Sequence, residues 1–203
     1  MPKDKSANHV HIVKAAMEEF MERGFQGASI RSIAARAGIT SGGLYRHFKD
    51  KEDMFHALVA PAVSELEEWL KQHASAGYAA ARSGNFVGMW ESSEIDMMLE
   101  VIYPRRREFK LILCCSQGTR YENFLEELIN TSQKYMMRQF ELLKKQGLPI
   151  IDLSEEELHM LMSAYTNALV QPVMHDYSKE DTEHYLKTIE AFFMPGWHKI
   201  IGC

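Results

Sequence analysis

The sequence has few cysteines, and the three present do not form a recognisable framework. Cys114 and Cys115 are adjacent and Cys203 stands alone, an arrangement that fits neither a set of disulfides nor a metal site. No apolar run approaches the roughly 20 residues that a membrane span requires, and the N-terminus lacks the apolar core of a signal peptide. We therefore expect a cytoplasmic protein without a metal site or a membrane span.

Catalytic motifs are lacking as well. An enzyme could pair His56, His159 or His175 with a cysteine, but no nucleophile motif, phosphate-binding loop or metal-spaced cluster accompanies these histidines. We expect no catalytic residues and no cofactor, and an enzyme remains only an alternative.

The chain does have enough apolar residues for a sizeable core, 46% of its 203 residues. Residues 1–53 contain 9 Lys and Arg against 7 Asp and Glu, whereas residues 54–203 contain 14 against 21. Gly and Pro residues mark breaks between segments, and no segment alternates apolar and polar residues with the period of two that is typical of strands. This pattern predicts helices throughout. We predict an all-α protein with two domains, residues 1–53 and 54–203.

The first domain has the pattern of three short helices. Apolar residues recur at helical spacing in the first helix, which we expect to end at Gly24. They are Ile12, Ala16 and Phe20. Ser29 is the predicted N-cap of a second helix that ends at Gly38, and Thr40 is the predicted N-cap of a third. This spacing indicates a helix-turn-helix, whose third helix reads DNA.

Two glycines stand at the start of the third helix. Gly42 and Gly43 each cost about 1 kcal/mol relative to alanine in a helix, a cost that close approach to DNA would offset. The alternative is that they form only a weak helix start. After them, Asp50 is the predicted N-cap of a fourth helix, with Asp53 completing a capping box.

Residues 9–55 resemble the DNA-binding domain of the tetracycline-repressor (TetR) family of bacterial transcriptional regulators. The shared residues include Ala15-Ala16, Phe20, Arg23-Gly24-Phe25, Ser29, Arg31, Ile33-Ala34, Arg36-Ala37-Gly38-Ile39, Gly42, Leu44-Tyr45, His47-Phe48 and Lys51-Glu52. The resemblance implies that Tyr45, His47 and Lys51 contact DNA phosphates and that Ser29 anchors the second helix. Phenol, imidazole and ammonium groups all donate to phosphate oxygens.

The sequence departs from the usual family pattern at Ser41, where a longer basic residue is common, and at Gly43, where threonine is common. Fewer side chains therefore remain to read bases. Arg46 has a planar fork suited to guanine, so Arg46, Thr40 and Ser41 are the predicted residues of sequence discrimination. For each of them, phosphate contact or simple solvation is the alternative.

The second domain is predicted to be a helical bundle for ligand binding and dimerisation. The expected helices are residues 50–72 with a kink at Pro61, 86–102, 104–116, a long helix from a Thr119–Glu122 capping box to Gly147, and two helices capped by Ser154 and Ser178. The long helix has a predicted buried stripe. It comprises Tyr121, Phe124, Leu125, Leu128, Ser132, Tyr135, Gln139 and Leu142.

The last two helices have more apolar surface than one buried side uses. We predict that they form a homodimer interface, as the resemblance also implies, and that two recognition helices then bind a pseudo-palindromic operator. The alternative is that all of these apolar residues pack inside one monomer. The predicted interface residues are Leu158, Leu161, Met162, Tyr165, Leu169, Tyr185, Ile189, Phe192 and Phe193.

In the TetR family the helical body encloses a ligand, and the resemblance implies a small-molecule effector here. Methionines and aromatic rings suit an adaptable apolar pocket, which favours a hydrophobic or aromatic effector. The predicted ligand-binding residues are Trp90, Met97, Tyr121, Phe124, Tyr165 and Asn167. If Glu94 or Glu100 faced inward, a cation would be favoured.

These features predict a repressor. Binding of the effector shifts the spacing of the two DNA-binding domains of the dimer and thereby releases the repressor from DNA. Two further alternatives stay open. One is a regulator triggered by oxidation of Cys114-Cys115, and the other is a constitutive DNA-binding protein whose body only dimerises.

Overall fold

The computed structural model describes residues 5–83 and 94–202, and helices dominate both stretches. The α-helices are α1 (Lys5–Gly27), α2 (Ile30–Arg36), α3 (Ser41–Leu44), α4 (Lys51–Ser83), α5 (Glu94–Asp96), α6 (Arg106–Cys115), α7 (Phe124–Lys145), α8 (Glu155–Met174) and α9 (Lys179–Ile201). A π-helix (Met97–Ile102) and a 3₁₀ turn (Tyr103–Arg105) link α5 to α6. The predicted all-α fold class is confirmed.

The predicted punctuation of the first helices is largely confirmed. Gly24 has φ +66° and interrupts the regular geometry of α1, although helical hydrogen bonding resumes up to Gly27. Gly38 has φ +67°, and its N–H and that of Ile39 donate to carbonyls of the last turn of α2, which is a Schellman ending. Thr40 caps α3 as predicted. These endings fix the sharp turn between α2 and α3.

Helix α4 begins where expected but extends further. Asp50 accepts a hydrogen bond from the Asp53 N–H at 2.8 Å, whereas the Asp53 carboxylate accepts from the Lys49 N–H rather than closing a capping box on Asp50. The helix runs through Pro61 without interruption to Ser83. Its predicted end near residue 72 was too early, because residues 73–83 contain five alanines, the best helix former, and continue the helix past Gly77.

The predicted capping box at the start of α7 is wrong. Residues 116–123 form a separate turn, in which Thr119 donates to the Ser116 carbonyl and Glu122 accepts from the Gly118 N–H. Helix α7 begins only at Phe124 and is followed by Gly147 at φ +87°. The Thr119 and Glu122 side chains form hydrogen bonds with the backbone of this turn instead. Such local side-chain-to-backbone hydrogen bonds compete with helix formation.

The last two helices have the predicted caps. Ser154 and Glu157 form a reciprocal capping box at α8. At α9, Ser178 accepts from the Asp181 N–H and donates its own hydroxyl proton to the Asp181 carboxylate. These helices and α7 share an apolar core. It comprises Ile129, Phe140, Leu158, Met162, Trp197 and Ile201.

The described residues separate into two compact units. The first unit comprises residues up to Ser64 together with Arg106–Phe124, and α6 packs against α1 within it. The second unit comprises Glu65–Arg105 and the chain from Leu125 onward. The grouping of α6 with the first unit is not visible in the sequence pattern. No helix in the described parts of the chain combines the length and apolar character needed for a membrane span.

Candidate functional site

The N-terminal end of α3 is exposed and has space for a binding partner. A Cβ on Gly42 would meet no atom within 4 Å, so no packing inside the protein requires glycine there. A Cβ on Gly43 would lie 3.3 Å from the Thr40 hydroxyl, the group that accepts the Gly43 N–H and caps the helix. Gly43 therefore leaves room for the cap, whereas Gly42 has no such explanation within the described structure.

The polar residues after these glycines are accessible. Tyr45, a large aromatic residue, is 55% exposed, and Arg46 is also exposed. His47 is partly buried, and its ring lies 5.9 Å from that of His9, whose ring also stacks on Phe48. The α1 residue His9 was not anticipated as a neighbour of this surface, since its distance from His47 in sequence gives no signal. DNA contacts by these residues remain predictions.

A buried carboxylate attaches α2 to α1. Glu19 is 0% exposed and accepts from the Ser32 hydroxyl at 2.7 Å and weakly from the Ser29 N–H at 3.4 Å. It also lies 3.1 Å from the Arg36 guanidinium. Ser29 itself caps α2 by accepting from Ser32 N–H. Glu19 thus sets the position of α2, which precedes the predicted recognition helix.

The Lys51 ammonium is engaged within the protein. It donates to the carbonyl oxygens of Phe25 at 2.7 Å and Ala28 at 3.0 Å, and it lies 4.5 Å from the centre of the Phe25 ring. A third carbonyl, that of Gln26, is 3.4 Å away. Lys51 therefore stabilises the chain between α1 and α2, and a phosphate contact by this residue stays a prediction.

The second unit contains a partly open cavity of about 210 Å³. Aromatic, methionine and small polar side chains line it, from α4, α5, the π-helix, α7, α8 and α9. Its lining includes Trp69, His73, Glu94, Met97, Leu128, Ser132, Tyr135, Met136, Gln139, Met162, Tyr165, Met194 and Trp197. The cavity is larger than the engineered cavity of about 150 Å³ that binds benzene. It can therefore accept a small aromatic molecule.

One carboxylate, Glu94, faces this cavity. Burial raises the pKa of the Glu94 carboxyl, although hydrogen bonds from its own N–H and from the Tyr165 hydroxyl act in the opposite direction. The negative charge of Glu190 raises that pKa further, and His73 lowers it. Burial and the nearby Glu94 also raise the pKa of Tyr165. By contrast, Glu100 is exposed and does not line the cavity.

The predicted ligand-binding residues fall in different places. Met97 and Tyr165 line the cavity, whereas Asn167 lies on the exposed face of α8. Phe124 and Tyr121 belong to the first unit, where the Tyr121 hydroxyl is 2.5 Å from the His56 Nδ1 atom. Trp90 lies outside the described residues. Ligand contact stays a prediction for all six.

Sequence reasoning missed Trp69 and His73 as cavity residues, because both lie near the predicted end of their helix. Their rings stack with centroids 3.4 Å apart, and the i, i+4 aromatic spacing was the available signal.

Four residues of the predicted buried stripe of α7 do face inward, but toward the cavity. They are Leu128, Ser132, Tyr135 and Gln139.

The residues predicted at a dimer interface divide by burial. Leu158, Met162 and Leu169 are buried within the protomer. Tyr165, Tyr185, Ile189 and Phe193 are partly buried. Leu161 and Phe192 are 38% and 77% exposed, and their α8 neighbour Met160 is 72% exposed. An apolar surface therefore remains on α8 and α9.

The adjacent cysteines lie on α6 in the first unit and are not in a disulfide. Cys114 is exposed and Cys115 is partly buried. Burial raises the pKa of the Cys115 thiol, and the neighbouring Cys114 acts in the same direction. A raised pKa reduces the thiolate fraction on which oxidation depends.

The N-terminal geometry defines a class of protein, the helix-turn-helix nucleic-acid-binding proteins, with a short second helix, a Gly-ended turn and an exposed third helix. Residues 12–58 match the family model described as "Bacterial regulatory proteins, tetR family". The N-terminal domain of the chain belongs to this TetR family, as the sequence resemblance predicted.

Curated relatives match the same end of the chain. A fatty acid metabolism regulator protein of Bacillus subtilis is 32% identical over 78 residues, 36% of this chain and 40% of that protein. The HTH-type transcriptional repressor BepR of Brucella suis is 40% identical over 63 residues, 31% of this chain and 30% of that protein. The chain thus spans two fifths or less of the length of these relatives.

A solved structure extends the likeness in fold to the whole chain. A TetR family transcriptional regulator from Chloroflexus aurantiacus superposes with a TM-score of 0.57 at 15% identity, over 96% of this chain and 94% of that one. At this identity the likeness concerns the fold.

Proposed function

We propose that this protein is a DNA-binding transcriptional regulator, most simply a repressor, that acts as a homodimer on a pseudo-palindromic operator and is released by a small-molecule effector. The observation that supports DNA binding most directly is the exposed start of α3, where Gly42 has no role in packing. A recognition helix presents its N-terminal residues to base edges, and a glycine there permits close approach. The match of residues 12–58 to the TetR family model supports the same function.

The proposal is tested by comparing two alanine variants on DNA from immediately upstream of the gene. Gly42→Ala adds a methyl group in open space and should preserve or slightly raise stability, while it weakens specific binding. Gly43→Ala instead crowds the Thr40 cap and should lower the stability of the first unit. If Gly42→Ala bound an identified operator as the wild type does, close approach at α3 would be refuted.

Arg46 gives a second test of the same interface. A bidentate contact to guanine contributes about 1–3 kcal/mol of discrimination, so Arg46→Ala should relax specificity at one base position per half-site. Loss of a phosphate contact would instead weaken binding to all sequences and reduce the salt dependence. Binding to a set of single-base operator variants at several salt concentrations separates these outcomes.

Dimerisation is proposed on the apolar surface that α8 and α9 leave exposed, around Met160, Leu161 and Phe192. Two recognition helices related by a two-fold axis then meet half-sites about one helical turn apart or somewhat more. A two-fold symmetric footprint would support this arrangement, and a single asymmetric footprint would contradict it.

Effector response is proposed on the cavity of the second unit. A ligand there favours a spacing of the two N-terminal units that no longer fits adjacent grooves, which releases the operator. Operator affinity measured with and without saturating ligand tests this step. Unchanged affinity would favour the constitutive alternative.

A further inference from the structure

We propose that the cavity of the second unit binds an organic cation with an aromatic or apolar body, for which Glu94 is the counterion. This inference rests on the proposed effector role of the cavity, but it specifies the charge of the effector. It concerns a ligand of the size of a substituted benzene, given a cavity of about 210 Å³.

The first argument is charge. Among the lining residues that the structure describes there is no Lys or Arg, and residues 84–93, which directly precede Glu94, contain none in the sequence. The titratable groups near the Glu94 carboxyl within the described residues are Tyr165 from α8, Glu190 from α9 and His73 from α4. The carboxylates of Glu94 and Glu190 thus outnumber the one imidazole in the surroundings of Glu94, although Glu190 does not line the cavity, and an anionic ligand would add to the repulsion.

The second argument is the setting of the carboxylate. A carboxylate that is removed from water needs an opposite charge or several hydrogen bonds. Glu94 is partly buried and has the Tyr165 hydroxyl as donor, but the described residues that line its cavity include no Lys or Arg. A bound cation would supply the missing charge and restore the ionised form.

The third argument is the wall around Glu94. Trp69, Tyr135, Tyr165 and Trp197 line the same cavity. The faces of aromatic rings attract organic cations, and Trp does so most strongly. A weakly hydrated ammonium with a ring attached would meet a carboxylate at one point and aromatic faces around it. A small hydrated metal ion would find only one carboxylate among the described lining residues.

The test uses three probes of matched size on the full-length protein. They are benzyltrimethylammonium, its neutral carbon isostere neopentylbenzene, and the anion 3-phenylpropionate. Isothermal titration calorimetry should show the cation binding about tenfold to thirtyfold more tightly than the isostere, as expected for a desolvated cation on aromatic faces and a carboxylate. The anion should bind more weakly than either.

Two variants assign the preference to one residue. Glu94→Gln keeps the size of the side chain and should abolish the preference for the cation over the isostere. Glu100→Gln, which removes an exposed carboxylate outside the cavity, should leave it unchanged. Labelled methionine methyl groups report the location: resonances of Met97 and Met194 in the lining should shift, and those of Met17 and Met54 in the first unit should not.

The inference is overturned if the isostere or the anion binds the wild type as tightly as the cation, if none of the three binds, or if Glu94→Gln keeps the preference. These ligand measurements contain no DNA. If only a neutral or anionic ligand released the operator, the proposed regulatory function would stand and the cation preference of the cavity would be refuted. If the cation bound but the protein had no operator affinity, the cation preference would stand and the proposed regulatory function would be refuted.

Discussion

Replacing Glu19 by glutamine tests whether one buried carboxylate holds the helix-turn-helix together. The side chain has no exposed surface, accepts from the Ser32 hydroxyl at 2.7 Å and pairs with the Arg36 guanidinium at 3.1 Å. Its second pairing, to Arg23 at 3.5 Å, is with a side chain that is 58% exposed. Glutamine preserves the volume and removes the charge.

The expected magnitude follows from these contacts. A hydrogen bond to a charged group contributes about 1.5–3 kcal/mol to stability. The upper end applies here, because the Glu19 carboxylate accepts from Ser32 and pairs with Arg36, and the N–H donors of a glutamine would lie buried against one of these donors. We therefore expect the first unit to lose about 3 kcal/mol of stability, which corresponds to a factor of roughly 100 in its opening equilibrium.

Hydrogen exchange of the full-length protein measures that change where it should occur. Amides of α1 and α2 should exchange roughly 100-fold faster in Glu19→Gln, while those of α8 and α9 in the second unit should keep the wild-type rate. Glu22→Gln is the matched control, since Glu22 pairs with the same Arg36 at the surface and should change exchange little. Equal protection in the two variants would refute the view that burial gives Glu19 its importance.

Further predictions concern the second unit. Because the pKa of Glu94 is raised without ligand, cation binding must displace a proton at pH values between the ordinary carboxyl pKa and that raised pKa. The affinity for benzyltrimethylammonium should therefore rise as the pH increases through that raised pKa and then level off. This rise should be lost in Glu94→Gln and kept in His73→Gln, and a pH-independent affinity in the wild type would contradict it. Phe192→Glu, at a side chain that is 77% exposed, should convert the dimer to monomers in sedimentation experiments and weaken operator binding. Val10→Glu, equally drastic at a 65% exposed site of the first unit, should leave the dimer intact, and an intact Phe192→Glu dimer would place the interface elsewhere.

The sequence by itself determined the helix-turn-helix. Its signals are local: Ser29 and Thr40 cap helices through their own side chains, and Gly24 and Gly38 adopt positive φ where a helix turns. Such interactions span three or four residues, so they are legible in a single sequence. The family resemblance drew on the same residues.

Predictions from local sequence spacing were wrong where a side chain could form a hydrogen bond with more than one group. Thr119 and Glu122 have the spacing of a capping box, yet they bond within the turn before α7. Tyr121 fits an apolar stripe of the following helix, but its hydroxyl lies against His56, 65 residues earlier in the chain. A spacing rule cannot distinguish these outcomes, because the competing partners are contributed by other parts of the fold.

Only the tertiary structure decided what the second unit surrounds. Inward-facing residues of α7 have the same helical period whether they meet a solid core or a hollow, so Ser132 and Tyr135 could not be assigned to a cavity from sequence. The sequence also did not determine the direction in which the Glu94 side chain points, because this depends on which side of its short helix packs against α8 and α9. Local backbone chemistry thus fixed the helices, whereas packing between distant segments determined the cavity and placed the carboxyl group of Glu94 in its wall.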